Sequence, residues 1–315
     1  TTRITANDLI ITGDGVININ TNVDTLTAST NDANITVNET SGLAVNTIDA
    51  GTGDVTLTLV AGAVTDGNGA GTNNVTANLL DITAPGGINL DTTINTLTAN
   101  TSASNGNIII RESDGLALNL VDAGTGNVTL IAGGAITDNN GDDNNITGTN
   151  LIISAVTGIG STDALETKVG KLAAQVTEGN IKIINTGDLI LDNLAGWGYA
   201  VKNTGTGTID ITVMSNLTVD DPVISSGGNI ILTANSGAII QNATGDITTG
   251  NGNFIGNAAG PYQMADGAII DTTNGTIDID AGGDITIGQL KSYSTVFLNS
   301  GGAILDGGDT GGEDI

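Results

Sequence analysis

The chain has no cysteine and no histidine among its 315 residues. Thiol nucleophiles, disulfide bracing, zinc centres built on Cys or His and imidazole acid–base catalysis are excluded together. Aromatic residues make up 2% and proline occurs 3 times, so there are too few rings to build a core between helices. Cations are scarce as well: 7 Lys and Arg stand against 34 Asp and Glu, a formal net charge of −27. Phosphate backbones and anionic lipid surfaces bind through clustered cations, so nucleic acid is not an expected partner. No apolar run approaches the ~20 residues that span a bilayer as a helix, and no membrane insertion is expected. The opening residues Thr1-Thr2-Arg3-Ile4-Thr5 carry neither an initiating Met nor an apolar signal core, which fits a processed chain or a segment of a longer one. Avoidance of cysteine fits a secreted or bacterial cell-surface protein.

What the chain does contain is 47 glycines and a hydrophobic share of 38%, with only 13% charged residues. That apolar content argues against disorder despite the net charge. Ile, Val, Leu and Ala come in short alternating runs separated by Gly, Asn and Asp, the pattern of short strands between tight turns.

The sequence repeats itself. Thr25-Leu26-Thr27-Ala28 returns as Thr96-Leu97-Thr98-Ala99, and 49–57 (Asp-Ala-Gly-Thr-Gly-Asp-Val-Thr-Leu) returns almost unchanged at 122–130. The long period is about 72 residues, an internal self-similarity of the kind that marks repeat architectures. A weaker third copy begins near Lys171-Leu172-Ala173-Ala174 and drifts after Trp197. Inside this period, apolar residues following a turn recur at Ile35, Val55 and Val75, then at Ile88, Ile108 and Val128. This is a beat of roughly 20 residues, broken by one shorter step between Val75 and Ile88. A strand–corner–strand unit of ~20 residues cannot bury its apolar face alone and must stack on its own copies. The expected fold is all-β: a right-handed parallel β-helix (β-solenoid) with coils of about 20 residues, like stacked on like in a narrow interior. The chain reads as a single continuous solenoid over 1–315: two regular repeats in 1–166, a diverged third repeat with a Trp/Tyr insertion in 167–205, and less regular coils in 206–315.

The segments 126–138 (Gly-Asn-Val-Thr-Leu-Ile-Ala-Gly-Gly-Ala-Ile-Thr-Asp), 243–250 (Ala-Thr-Gly-Asp-Ile-Thr-Thr-Gly), 284–290 (Asp-Ile-Thr-Ile-Gly-Gln-Leu) and 301–307 (Gly-Gly-Ala-Ile-Leu-Asp-Gly) resemble the repeats of filamentous-haemagglutinin-like adhesins. The resemblance runs over nearly the whole chain. It implies the β-solenoid shaft of a very large bacterial surface protein, of a class often exported by two-partner secretion. The motifs speak for architecture and not for a binding specificity.

Four groups of residues are candidate sites. Asp-rich corners at Asp66, at Asp138 with Asp142, and at Asp306 with Asp309 offer oxygen ligands on tight turns, which suits weak Ca²⁺ binding; good turn residues alone would look the same. No other cofactor is expected. Trp197 and Tyr199 lie where the third repeat departs from the first two, in the only basic neighbourhood of the chain, with Lys168, Lys171, Lys182 and Lys202. Loops carried on a regular scaffold are where contacts are commonly placed, so this is the candidate partner surface for a glycan, a host or cell-surface receptor, or an acidic neighbouring subunit. The carboxylate pairs Asp220/Asp221 and Asp278/Asp280 lack a cationic neighbour in their runs and read as solvated positions rather than a hydrolytic pair. Thr-x-Thr at Thr25/Thr27, Thr56/Thr58 and Thr96/Thr98 is out of step with the coil length, so threonine is read as a strand former. Phe254, Tyr262 and Phe297 read as corner packing.

The expectation is thus a protein that is not an enzyme: a structural or adhesive extracellular rod, self-associating end to end or continuing into a longer chain. Two alternatives from other classes are a polysaccharide-binding or -degrading β-helix and an ice-binding or calcium-dependent solenoid module.

Overall fold

The computed structural model describes residues 3–308. Among them there are 33 strands and no helix, paired in parallel into a β-solenoid with coils about 21 residues apart. The chain divides into two compact units, 1–149 and 150–315.

In the second unit three sheets wrap each coil. The first stacks Ile181–Asn185, Ile209–Val213, Ile230–Ala234, Phe254–Ala258, Ile277–Ala281 and Val296–Ser300. The second stacks Leu189–Leu191, Leu217–Val219, Ile239–Gln241, Tyr262–Met264, Ile285–Ile287 and Ile304–Asp306. The third runs through Val201–Asn203, Val223–Ser225, Ile247–Thr249, Ile269–Asp271 and Gln289–Lys291. Strand alternation sends every second side chain inward, so columns of like residues form: Ile181, Ile209, Ile230, Phe254 and Ile277 are stacked and fully buried. Each such side chain contributes ~1.5–3 kcal/mol by leaving water.

Phe254 and Tyr262 lie in these columns and not at corners. Their rings meet edge to face, with centroids 6.3 Å apart, and both are fully buried. The two rings, in the neighbouring columns Ile230–Phe254–Ile277 and Ile239–Tyr262–Ile285, fit among aliphatic side chains because Gly256 leaves out a side chain beside them. A Cβ there would come within 2.7 Å of Tyr262 Cε2 and 3.1 Å of the Phe254 ring. Phe297 is 55% exposed on the outward side of the last long strand.

In the first unit one column runs through Ile17, Ile35, Val55, Leu80, Leu97 and Leu118, and another through Leu43, Val64, Ile88, Ile108 and Val128. Ile35 and Ile108 occupy equivalent places in the sequence repeat, yet they sit in different columns. The reason is arithmetic: about 72 residues at about 21 per coil is roughly three and a half coils. Successive repeats therefore present the same residue half a turn away. The irregular step between Val75 and Ile88 in the sequence beat is this change of column. Val75 pairs with Ile48 and Thr92, while Leu80 continues the column of Val55, because the loop 67–74 lengthens that coil.

The corners are held by a device that composition alone does not reveal. Asn229 Oδ1 accepts the Asn253 N–H of the next coil at 2.8 Å, and Asn253 Oδ1 accepts that of Thr276 at 2.9 Å. Asn34, Asn107, Asn180 and Asn216 repeat the contact. Asn and Asp at these turns thus tie one coil to the next as well as bending the chain.

Candidate functional site

The strand Lys171–Val176 passes from one sheet to another: Lys171 and Leu172 pair with Ile190 and Leu191, while 174–176 pair with Val201–Asn203. In the following coil the same path is broken by residues 192–200, which must bulge outward. Gly196 and Gly198, at φ 70° and 82°, supply the left-handed bends on either side of Trp197. The loop is pinned from three sides: Asn193 N–H donates to Asp221 Oδ2 at 3.0 Å, Gly198 N–H to Asn193 Oδ1 at 3.0 Å, and the Tyr199 hydroxyl to Gln175 Oε1 at 2.7 Å. Ala173, between Lys171 and Gln175 on this strand, is fully buried.

On this loop Trp197 and Tyr199 are half-buried, with ring centroids 5.8 Å apart and planes tilted by 33°. The Lys202 ammonium stands 4.9 Å from the Tyr199 centroid, a cation–π distance. Lys171 bonds Asp192 at 2.5 Å, and that carboxylate raises the lysine pKa above its ordinary value. Burial raises the Tyr199 phenol. The structure therefore brings together Trp197, Tyr199 and Lys202, and ties Lys171 to the start of the same loop through Asp192. Lys182 lies on another sheet beside Asp210, whose carboxyl is pushed up by burial and pulled back by that lysine. Lys168 is exposed at the end of Leu165–Lys168. Asp192 and Asn193 open the loop itself, while Gln175 and Asp221 come from segments distant in sequence that inter-coil register alone reveals.

The acidic corners are closed by donors. Asp66 Oδ1 accepts from the Asn74 amide, from Asn68 N–H and from Gly69 N–H, each at 2.9 Å. The Asn74 bond first, and the two N–H groups with it, hold its pKa below the usual carboxylate value. Asp138 accepts from Asn145 Nδ2, Asn140 N–H and Gly141 N–H in the same manner. Asn74 and Asn145, fully buried, are the staples of the two loops. Asp142 is exposed, Asp306 accepts the Gly308 N–H at 2.7 Å, and Asp309 lies outside the described residues. No group of three or more His, Cys, Asp or Glu placed to hold a metal occurs among the described residues.

A constellation not anticipated from sequence lies inside the corners. Glu39 is fully buried and accepts Val23 N–H at 3.0 Å, with Thr40 N–H and Ser41 N–H on its other oxygen. Glu112, in the same place of the second repeat, accepts Ile94 N–H at 3.0 Å, the Thr92 hydroxyl at 2.8 Å and Ser113 N–H at 2.8 Å. One repeat further on, Asn185 accepts Val169 N–H at 3.0 Å and the Thr167 hydroxyl at 2.9 Å. The third repeat thus keeps the brace with an amide. Burial opposes ionisation of Glu39, but the Val23, Ser41 and Thr40 N–H groups and the Thr21 hydroxyl outweigh it and lower its pKa. At Glu112 burial, with the Asp114 side chain adding to it, outweighs the Thr92 hydroxyl and the Ile94 and Asp114 N–H groups and pushes the carboxyl up to about 7.

Of the remaining candidates, Asp220 accepts from Asn242 and Asp221 from Asn193. Burial and the neighbouring Asp280 raise the Asp278 carboxyl. Thr56 and Thr58 stack between Thr36/Asn38 and Asp81/Thr83, so no continuous threonine array passes through them. No family model matches this chain, and neither a curated protein nor a solved structure matches it.

Proposed function

We propose that the chain is a non-catalytic structural segment of an extracellular bacterial surface protein, an adhesin shaft or a filament subunit. The observation that carries this reading is the stacking of like side chains through consecutive coils of each unit, which makes a solenoid stiff and leaves few loops free.

The loop 192–200 is the surface we assign to a partner. Trp197 and Tyr199 give a pre-ordered aromatic face, and Lys171 and Lys202 are already engaged by Asp192 and Tyr199. That combination fits a glycan, whose ring stacks on aromatics while its hydroxyls find amide and carboxylate groups.

Sedimentation velocity over a range of concentrations, with negative-stain electron microscopy, tests the structural reading. End-to-end multimers that lengthen with concentration are expected. A strictly monomeric chain that also depolymerises a polysaccharide would overturn it.

A further inference from the structure

The third sheet of the second unit buries Val201, Val223, Ile247, Ile270 and Leu290. Strand alternation turns the intervening column outward: Lys202, Ile224, Thr248, Asp271 and Lys291, each paired with the next. Where this column meets the loop 192–200, Lys202 and Tyr199 stand beside Gln175. Four rungs on, a cavity of about 350 Å³ opens between Asp271, Thr273, Gln289, Lys291 and Tyr293. A tyrosine, a lysine and a glutamine are thus met twice on one face.

Three features set the cavity apart from an ordinary corner. Tyr293 is 89% exposed, in a chain with 2% aromatic residues. Thr273 holds φ 52°, a left-handed bend unfavourable for a β-branched residue, whereas the other described residues with positive φ are Gly, Asn and Asp. That bend is fixed by the Thr273 N–H donating to Asp271 Oδ1 at 2.9 Å and by the Tyr293 N–H donating to the Thr273 carbonyl at 2.7 Å. The strained backbone therefore joins the carboxylate to the ring. Lys291 lies opposite Asp271 in register yet forms no ion pair among the described residues, while Lys171 and Lys202 are engaged by Asp192 and Tyr199.

Resting on the glycan reading of the loop 192–200, we propose that this cavity is a second sugar subsite, and that an uncharged linear polysaccharide lies along the outer face of the third sheet from Tyr293 to that loop. A pyranose stacks its C–H face on a phenol ring, while its hydroxyls donate to a carboxylate and accept from an ammonium. Tyr293, Asp271 and Lys291 supply all three around one cavity. Lys202 and Lys291 are four rungs apart, about 19 Å at ~4.8 Å per rung. A pyranose in an extended chain advances by close to one rung, so a hexaose reaches both places. Ile224, half-buried, and Thr248, exposed, lie between them and carry no charge. A polyanion is disfavoured by Asp271 in the cavity and by the net charge of −27.

Full-length wild type, Trp197→Ala and Tyr293→Ala are titrated calorimetrically with cello-, manno-, xylo- and chito-hexaose and with the matching bioses. One hexaose is expected to bind wild type about 100-fold more tightly than its biose, at low and high salt alike. Each substitution is expected to bring that hexaose down to the level of the biose. Weakening by Trp197→Ala with no effect of Tyr293→Ala overturns the subsite and leaves the loop reading standing. Weakening by Tyr293→Ala alone keeps the subsite but overturns the span and the loop reading. No binding of any hexaose overturns both, and binding of polygalacturonate only, lost at high salt, overturns the uncharged class. Should Tyr293→Ala fail to fold, Lys291→Met takes its place with the same expected loss.

Discussion

Gly256 shows how one residue licenses its neighbours. It gives up a side chain so that Phe254 and Tyr262 can lie inside two aliphatic columns, and a Cβ would meet Tyr262 Cε2 at 2.7 Å. Gly256→Ala is expected to cost about 1–3 kcal/mol by overpacking, read as a lower urea midpoint with little change in slope. The acidic corners make a second case at this scale. Asp66 and Asp138 are satisfied by N–H donors, and a cation would have to displace these bonds. The melting temperature is accordingly expected to be the same with calcium and with EDTA; a clear rise in calcium would show that the corners rearrange to take it. The sequence made these aspartates conspicuous, but it could not show that Asn74 and Asn145 occupy their oxygens, since those partners are defined only once the loop is closed.

Among the elements, the corner ladders and the inserted loop carry the testable content. Asn253 accepts from Thr276 N–H and donates its own N–H to Asn229. Asn253→Ala leaves the Thr276 N–H without its partner and is expected to lower stability by roughly 1 kcal/mol, with faster amide exchange at 276. In the loop 192–200, Tyr199→Phe removes only the bond to Gln175, a loss of about 0.5–1.5 kcal/mol. Trp197→Ala is expected to remove glycan retention on an array while leaving the far-ultraviolet spectrum unchanged; unaltered retention would take the loop out of the binding role. This loop is legible in the sequence as a repeat that loses step beside a cluster of lysines. Lys182 and Lys168 belong to that cluster in sequence only, because their strands join another sheet.

At the scale of the molecule the coil, and not the sequence repeat, is the unit of construction. Deleting 35–54 joins Asn34 to Val55 and removes one step of a column in which Ile35 already stacks on Val55. A soluble, cooperatively melting chain is expected from this cut. Deleting 35–44 removes half a coil, so that Val45–Asp49 take the places of Ile35–Glu39, Thr47 falls where Val37 was buried and every later corner is displaced; loss of cooperative unfolding is expected, and equal tolerance of both cuts would contradict the stacking rule.

Composition and spacing alone settled that the chain is all-β, that its strands are short and that they pile in parallel, because small β-branched residues at a regular beat have no other way to bury their apolar face. Tertiary structure alone decided which residue stands over which. Inter-coil register is set by how many residues each loop absorbs: the loop 67–74 lengthens one coil, and a repeat of about three and a half coils then carries Ile35 and Ile108 to different columns. The same register brings Glu112 beside the Ile94 N–H and Tyr199 beside Gln175, contacts between residues 18 to 24 apart that no local pattern encodes.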